Sequence, residues 1–299
     1  MGEVDDLYEH VRGVVAAGTV AVGEGAAPTI TTVAPEIRVV ALRTPTLPPA
    51  THTNLYLVGP ERGPVAVVDP GSPYPAEQAA LDALLHGIEV SVVLLTHHHG
   101  DHVGGAVALA QARRVPIAAH AETTRLLGAR IPVTQVLADG ERAYGTEAIF
   151  TPGHAAGHLC FAVGDAIIAG DMVAGIGSIL IDPDEGDMAS YLTSLERLLA
   201  RGEHALLPAH GPMIADGPAK LREYLAHRRM REARVLDALA GSTAQPLSEL
   251  VATVYADTPR ALWRLAERSL LAHLHKLARE GKARDVGSGA WAVGATGTP

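Results

Sequence analysis

Apolar and polar positions follow two rhythms along the chain, and the switches between them divide it. From Thr31 the pattern is that of strands: Ile37-Arg38-Val39-Val40, then Thr53 to Val58, a Gly59-Pro60-Glu61-Arg62-Gly63 turn, and Val65 to Val68, ended by Asp69-Pro70-Gly71. Short β-branched runs separated by Gly and Pro predict a meander. A helix is predicted over Pro75 to Leu85, then a strand over Val90 to Leu95, a helix over Val103 to Ala112, a strand at Ile117-Ala118-Ala119 and a helix over Ala121 to Gly128. Further apolar runs at Ala148-Ile149-Phe150, Leu159 to Val163, Ala166 to Ala169 and Ala205-Leu206-Leu207 read as buried strands. Met188 to Ala200, with Leu192, Leu195, Leu198 and Leu199 on one side, reads as a helix covering the sheet.

After His210 the rhythm becomes helical. Residues 218 to 240 predict one long helix, and Leu247 to Tyr255 and Pro259 to Glu280 two more. Gly281-Lys282 then opens a short β pattern through Trp291-Ala292-Val293, so the segment is winged-helix-like. The pattern therefore predicts three parts: an extension and linker at 1–30, a mixed strand and helix part at 31–217, and a small helical domain at 218–299. Within the extension, Val4 to Ala17 is a possible short helix and Gly23 to Pro28 a Gly/Ala/Pro linker. The mixed part is α/β or α+β in class.

Composition narrows this reading without changing it. A chain of 299 residues suits a catalytic domain with an appendage, and 47% apolar residues exclude a disordered protein. The net charge of −9 is uneven: residues 218–284 carry thirteen Lys and Arg against seven Asp and Glu, leaving eleven against twenty-six elsewhere. The start, Met1 to Asp6, is acidic where a signal or transit peptide is basic, and no run of ~18 apolar residues occurs, so a cytoplasmic protein with no membrane partner is expected. The single cysteine, Cys160, lies inside an apolar strand and is expected to pack there rather than react.

The chemistry concentrates at Thr96-His97-His98-His99-Gly100-Asp101-His102, directly after Val92-Val93-Leu94-Leu95. Four imidazoles and a carboxylate in six residues are costly as unpaired packing but apt as ligands for Zn(II) or Fe(II). On an extended loop His97 and His99 point to one metal, while Asp101 and His102 turn towards a second. Asp101 is also a good cap for the following helix. Three more strand ends carry ligand types: Thr151-Pro152-Gly153-His154 with His158, Gly170-Asp171, and Ala209-His210-Gly211. A carboxylate at the end of a buried strand, as at Asp171, is expensive unless paired or metal-bound. The Gly-rich stretch Met172 to Glu185, which includes Ser178, reads as a loop bordering the substrate. His86 and His120 lie outside any ligand spacing.

His-x-His-x-Asp-His between a strand and a helix resembles the metallo-β-lactamase superfamily, and the resemblance spans about residues 30 to 215. The stretch Leu270 to Leu277 ending in Arg279-Glu280-Gly281-Lys282 is similar to the helix-then-wing piece of the branch that includes the mitochondrial endoribonuclease β-lactamase-like protein 2. The resemblance implies an αββα sandwich with the site along one edge. It implies a first metal held by His97, His99 and His154, a second by Asp101, His102 and His210, and Asp171 as the bridge. Asp69, His98 and His158 would support these ligands, with Asn54 and Ser178 as further supporting or substrate-side residues. Two Zn(II) per chain are implied, with iron or manganese as alternatives.

The activity implied is metal-dependent hydrolysis, with a metal-bound hydroxide as nucleophile and Asp101 and Asp171 as catalytic carboxylates. A small-molecule ester, thioester or related acyl substrate is the first expectation. Cleavage of single-stranded RNA by an endoribonuclease or phosphodiesterase is an alternative, as is a mononuclear-iron persulfide dioxygenase; β-lactam hydrolysis is disfavoured by the lack of an evident export signal. Flavodiiron relatives carry Glu where this chain has His99. The basic residues Arg260, Arg264, Arg268, Lys276, Arg279, Lys282 and Arg284 suit either phosphate contact or packing on the catalytic part, and packing is the stronger expectation. The oligomeric state is left open, a dimer included.

Overall fold

Four successive strands, then three more strands interspersed with four helices, make up the first half of the computed structural model, which describes residues 27–241 and 243–294. The helix expected over Val4 to Ala17 lies outside the described residues. In chain order the elements are β1 (Thr31–Ala34), β2 (Ile37–Arg43), β3 (His52–Val58), β4 (Val65–Val68), α1 (Pro75–Leu84), β5 (Val90–Leu94), α2 (Gly100–Val103), α3 (Ala106–Arg113), β6 (Ile117–His120), α4 (Ala121–Leu127) and β7 (Gln135–Leu137). They form one sheet whose strand order is the chain order, antiparallel from β1 to β4 and parallel from β4 to β7. Parallel neighbours need a crossover, and α1, the α2–α3 pair and α4 supply the three.

The second sheet repeats the plan. Strands β8 (Arg142–Ala143), β9 (Thr146–Phe150), β10 (Leu159–Val163) and β11 (Ala166–Gly170) run antiparallel; α5 (Met188–Leu199) then crosses over to β12 (Ala205–Pro208), parallel to β11. The segments after β5, β9, β11 and β12 carry the candidate ligands, and the turn after β4 carries Asp69.

Alternation of side chains along each strand builds the layers. Val40, Leu55, Val67 and Val93 face Leu81, Leu109 and Leu127 of the helices on the first sheet. Their neighbours Tyr56, Val68 and Leu94 turn inward and meet Phe161, Ile168 and Leu207 of the second sheet. On the far side Cys160, Ile167 and Leu206 pack under Tyr191, Leu195 and Leu198. Helix, sheet, sheet and helix are thus stacked over three apolar contacts, the αββα sandwich that the resemblance implied.

The remaining elements are α6 (Gly217–Ala240), β13 (Gln245–Pro246), α7 (Leu247–Val254), α8 (Trp263–Arg279), β14 (Ala283–Gly287) and β15 (Ala290–Val293). Val235, Leu239, Leu250, Val254, Leu270, Leu274 and Trp291 close a separate core beneath a three-stranded ribbon, giving a winged-helix domain. The first turns of α6 belong elsewhere: Leu221, Tyr224 and Leu225 join the core under α5, as does Ala272 of α8. One rigid helix therefore serves two cores. Among the described residues no helix is long and apolar enough to cross a membrane.

The stretch expected as one helix over Val103 to Ala112 is divided. Asp101 is not its cap but lies in the first turn of α2, whose N-cap is His99, and Gly104-Gly105 separates α2 from α3. The break has a cause in packing. The turn after β4 presses against this segment: Gly105 N donates to Pro70 O at 2.8 Å, and a Cβ on Gly105 would stand 2.7 Å from that same oxygen. The short strands β7, β8 and β13, of 3, 2 and 2 residues, were not anticipated. Runs so short carry no alternation to detect.

Candidate metal centre

The site is assembled from its supports inward. Asp69, placed just past β4 with φ of 51°, is buried and receives Thr96 N–H at 2.8 Å and the Thr96 hydroxyl at 2.6 Å. Its Oδ2 also lies 2.8 Å from His102 Nδ1. One carboxylate therefore pins the first residue of the ligand loop and the last imidazole in it. Because Thr96 Oγ1 donates to Asp69, its contact with His97 Nδ1 at 3.0 Å is as acceptor. The free nitrogen of both His97 and His102 is then Nε2.

Those free nitrogens converge. His97 Nε2 is 2.9 Å from His99 Nδ1, which is 3.0 Å from His154 Nε2. The outer nitrogens of the last two are also engaged: His99 Nε2 donates to Glu185 Oε2 at 2.8 Å, and His154 Nδ1 to Leu180 O at 2.9 Å. Three lone pairs pointing at one small volume repel one another, and a cation at their focus relieves this.

A second group stands beside the first. His210 donates from Nδ1 to His52 O at 3.0 Å and turns Nε2 to within 3.4 Å of Asp101 Oδ2; His102 Nε2 is 3.9 Å from the same oxygen. Asp171 lies between the groups. Its Oδ2 is 3.4 Å from His154 Nε2, while its Oδ1 is 3.4 Å from His210 Nε2 and 3.6 Å from His102 Nε2. Ligand-bearing atoms of His97, His99, His154 and Asp171 form one cluster and those of Asp101, His102 and His210 another, each with its atoms within 4.8 Å. His102 Nε2 and Asp171 Oδ1 are buried with no hydrogen-bond partner. Such orphaned atoms are costly unless a cation takes them, so the donor set fits two metal ions.

The electrostatics of the two groups differ. Burial, reinforced by the surrounding imidazoles, holds His97 well below the usual histidine range and brings His154 down to about 4. Neutral rings with open lone pairs result. In the second group burial opposes charge on His102 and His210, but Asp171 and Asp101 outweigh it, aided at His102 by Asp69, and raise both imidazoles. The same attraction overrides burial at Asp101 and Asp171 and depresses both carboxyls.

Further residues hold the strand ends in place. Gly170, with φ of 49°, lets His158 lie against its Cα, where a Cβ would be 2.6 Å from His158 Nε2. His158 Nε2 accepts the Asp171 N–H at 3.1 Å and its Nδ1 meets Thr151 Oγ1 at 2.9 Å, so it steadies the bridge from outside. Asn54 donates from Nδ2 to Pro208 O and Gly211 O, both at 2.9 Å, and brackets the turn that carries His210. His98 stands half-buried in the wall, its ring 4.7 Å from that of His99, with its basicity lowered to about 4 by burial and that neighbour. Ser178 is exposed on the loop after Asp171 and stands in none of the clusters.

Outside the site, His86 is exposed. His120 accepts from Glu122 N at 3.2 Å, capping α4, and stacks on Phe150. Cys160 is buried and its thiol is pushed up to about 12 by burial, as suits a packed residue. Sequence reasoning missed Glu185, Thr96 and the Leu180 carbonyl. Glu185 meets His99 across 86 positions, and no local spacing announces such a contact.

This fold and this arrangement of ligand types are those of a class of metalloenzymes. The chain belongs to the metallo-beta-lactamase superfamily, whose family model matches residues 48–210, and the model of the beta-lactamase associated winged helix domain matches residues 247–291. It is 32% identical over 277 residues to the lactamase-like protein vrtG of Penicillium aethiopicum, an alignment covering 81% of this chain and 85% of that one. A metallo-beta-lactamase family protein from Thermus thermophilus superposes with a TM-score of 0.71 at 25% identity, over 88% of this chain and all 100% of that one. The protein TTHA1623, solved in a di-iron-bound form, is 31% identical with a TM-score of 0.50, over 58% of this chain and 94% of its own.

Proposed function

We propose that the protein is a cytoplasmic, dinuclear metal-dependent hydrolase acting on an ester, thioester or related acyl group of a small molecule. The observation that carries this reading is the position of Asp171, whose two oxygens face different histidine groups. His97, His99 and His154 would hold one cation, Asp101, His102 and His210 the other, with Asp171 shared. Imidazole and carboxylate together suit zinc, and the di-iron form of TTHA1623 supports iron as the alternative. Such a pair of cations supplies an activated water near neutral pH and polarises the group under attack. The chain's own part is to orient the ligands through Asp69, His158 and Asn54, and to move a proton at the Asp101 carboxylate.

Charge and surface support an acyl substrate over RNA. Four of the seven basic side chains expected on a phosphate-binding face are paired within the chain: Arg268 with Asp182 and Asp184, Arg279 with Asp187, Lys276 with Glu232 and Glu280, and Lys282 with Glu280. The loops after Asp171 and His210 touch at Gly175 and Pro212, and they expose Ile176 and Met213, 69% and 44% accessible. Exposed apolar side chains on the loops that follow two of the ligands suit a neutral or apolar acyl group better than a polyanion. The second group, Asp101, His102 and His210, could hold a metal of its own and so supports two metals over one; iron near one per chain with sulfur-dependent oxygen uptake would favour a mononuclear-iron persulfide dioxygenase instead. A panel of thioesters, lactones, phosphodiesters, RNA and a β-lactam, run on protein of measured metal content, tests the reading. Turnover of thioesters or lactones supports it, and cleavage of RNA alone replaces it.

A further inference from the structure

The two groups of ligands are supported from different parts of the molecule. His102 leans on Asp69 and His210 on the His52 carbonyl, while Asn54 holds the turn around His210. These supports lie on β3 or in the turn after β4, within the first sheet. In the first group His97 leans on Thr96, but the other two imidazoles lean on the loop 172–187, through Leu180 O to His154 and Glu185 to His99.

That loop is organised by Asp182. Its backbone carbonyl accepts from Glu185 N at 3.3 Å and Gly186 N at 2.7 Å, and its Oδ1 accepts from Asp184 N at 3.0 Å. The turn bearing Glu185 is thus wound on one residue, itself 5% exposed. Arg268 of α8 grips it with a fork: Nε donates to Asp182 Oδ2 at 2.9 Å, and Nη2 to Asp182 Oδ1 and Asp184 Oδ2. Upstream, α6 holds the same loop, with Tyr224 Oη donating to Gly177 O at 3.0 Å and Arg228 bonding to Ile179 O. A planar, two-pronged guanidinium on a buried carboxylate fixes direction as well as distance.

We propose that Arg268 is a positioning residue for the first metal site alone. Through Asp182 and Asp184 it sets Glu185 against His99 Nε2, and so aims His99 Nδ1 at the focus shared with His97 and His154. The winged-helix domain thereby governs the affinity of one metal of the pair. The claim rests on the two-metal reading above, and its test separates the two.

Each site is isolated by removing a ligand of the other: His210→Ala leaves the first, His154→Ala the second. Zinc affinity is then measured by chelator competition on the full chain. Adding Arg268→Ala should weaken zinc binding roughly tenfold or more in the His210→Ala background, in line with losses of outer supports at metal sites, and leave it unchanged in the His154→Ala background. Glu185→Ala, an exposed change that spares the packing of α8 and removes the acceptor for His99 Nε2–H, should reproduce the effect, and combining it with Arg268→Ala should add little, since both act along one path. Equal weakening in both backgrounds, no weakening in either, or full additivity with Glu185→Ala overturns the assignment. Wild-type protein that binds fewer than two metals contradicts the dinuclear reading itself, and the positioning role with it.

Discussion

Asp69 Oδ2 lies 2.8 Å from His102 Nδ1, with both side chains buried, and the contact decides which nitrogen of that ring faces the metal centre. The same carboxylate accepts two bonds from Thr96, so all of its partners are donors. Asp69→Asn replaces one acceptor oxygen with an NH2 group, so that either Thr96 N–H, or the Thr96 hydroxyl together with His102 Nδ1–H, faces a donor. Affinity for the second metal should fall ten- to hundredfold, with a smaller loss at the first, because Thr96 also holds His97. Elemental analysis after dialysis against a weak chelator checks this; retention of both metals contradicts it.

Gly170 is where the backbone, the bridge and His158 meet. Gly170→Ala puts a Cβ 2.6 Å from His158 Nε2 at φ of 49°, whereas Gly87, with φ of 76°, has nothing within 4 Å of its Cβ position. Gly87→Ala should lose about 1 kcal/mol from the left-handed backbone alone. Gly170→Ala should lose more and should also displace Asp171, lowering metal content. Denaturant midpoints of the two variants, with metal counts, test the comparison.

His120 is a structural histidine. It caps α4 and stacks on Phe150 with ring centroids 4.2 Å apart. His120→Ala should lower stability by about 0.5–2 kcal/mol, the usual effect of losing a cap, without changing metal content or the rate per bound metal. Loss of metal from this variant would place His120 in the site after all.

The first layer of this architecture was legible because its signals are local. Strands such as Val65–Val68 and Val90–Leu94 are short apolar runs, and ligand types stand directly after them. His97, His99, Asp101, His102, His154, Asp171 and His210 stand at four such strand ends, and the resemblance to the superfamily ordered them into a ligand set. The supports were less legible, because they are made across the fold. Asn54, named as a supporting or substrate-side residue, holds a turn 154 positions away, and Arg268 reaches Asp182 across 86. The split between α2 and α3 was hidden for the same reason, since its cause is the Pro70 carbonyl pressed against Gly105.

Acid should loosen the winged-helix domain through Glu232. Its contacts with His273 and Lys276 outweigh partial burial and bring its carboxyl down to about 2 from an ordinary 4.5. A depressed carboxyl stabilises the fold fully above its ordinary value, and that contribution is lost as pH falls towards the lowered one. In metal-free protein, Glu232→Gln should therefore flatten the fall in stability between about pH 4.5 and 2, relative to wild type. Parallel pH profiles for the two proteins count against this role.

The central claim is that Asp171 joins two metal ions. Its most direct test is metal content per chain, by elemental analysis, in wild type and in Asp171→Ala purified alike. Two metals in the wild type, and at most one in the variant with most activity gone, is the predicted result. Equal metal content in the two proteins contradicts it.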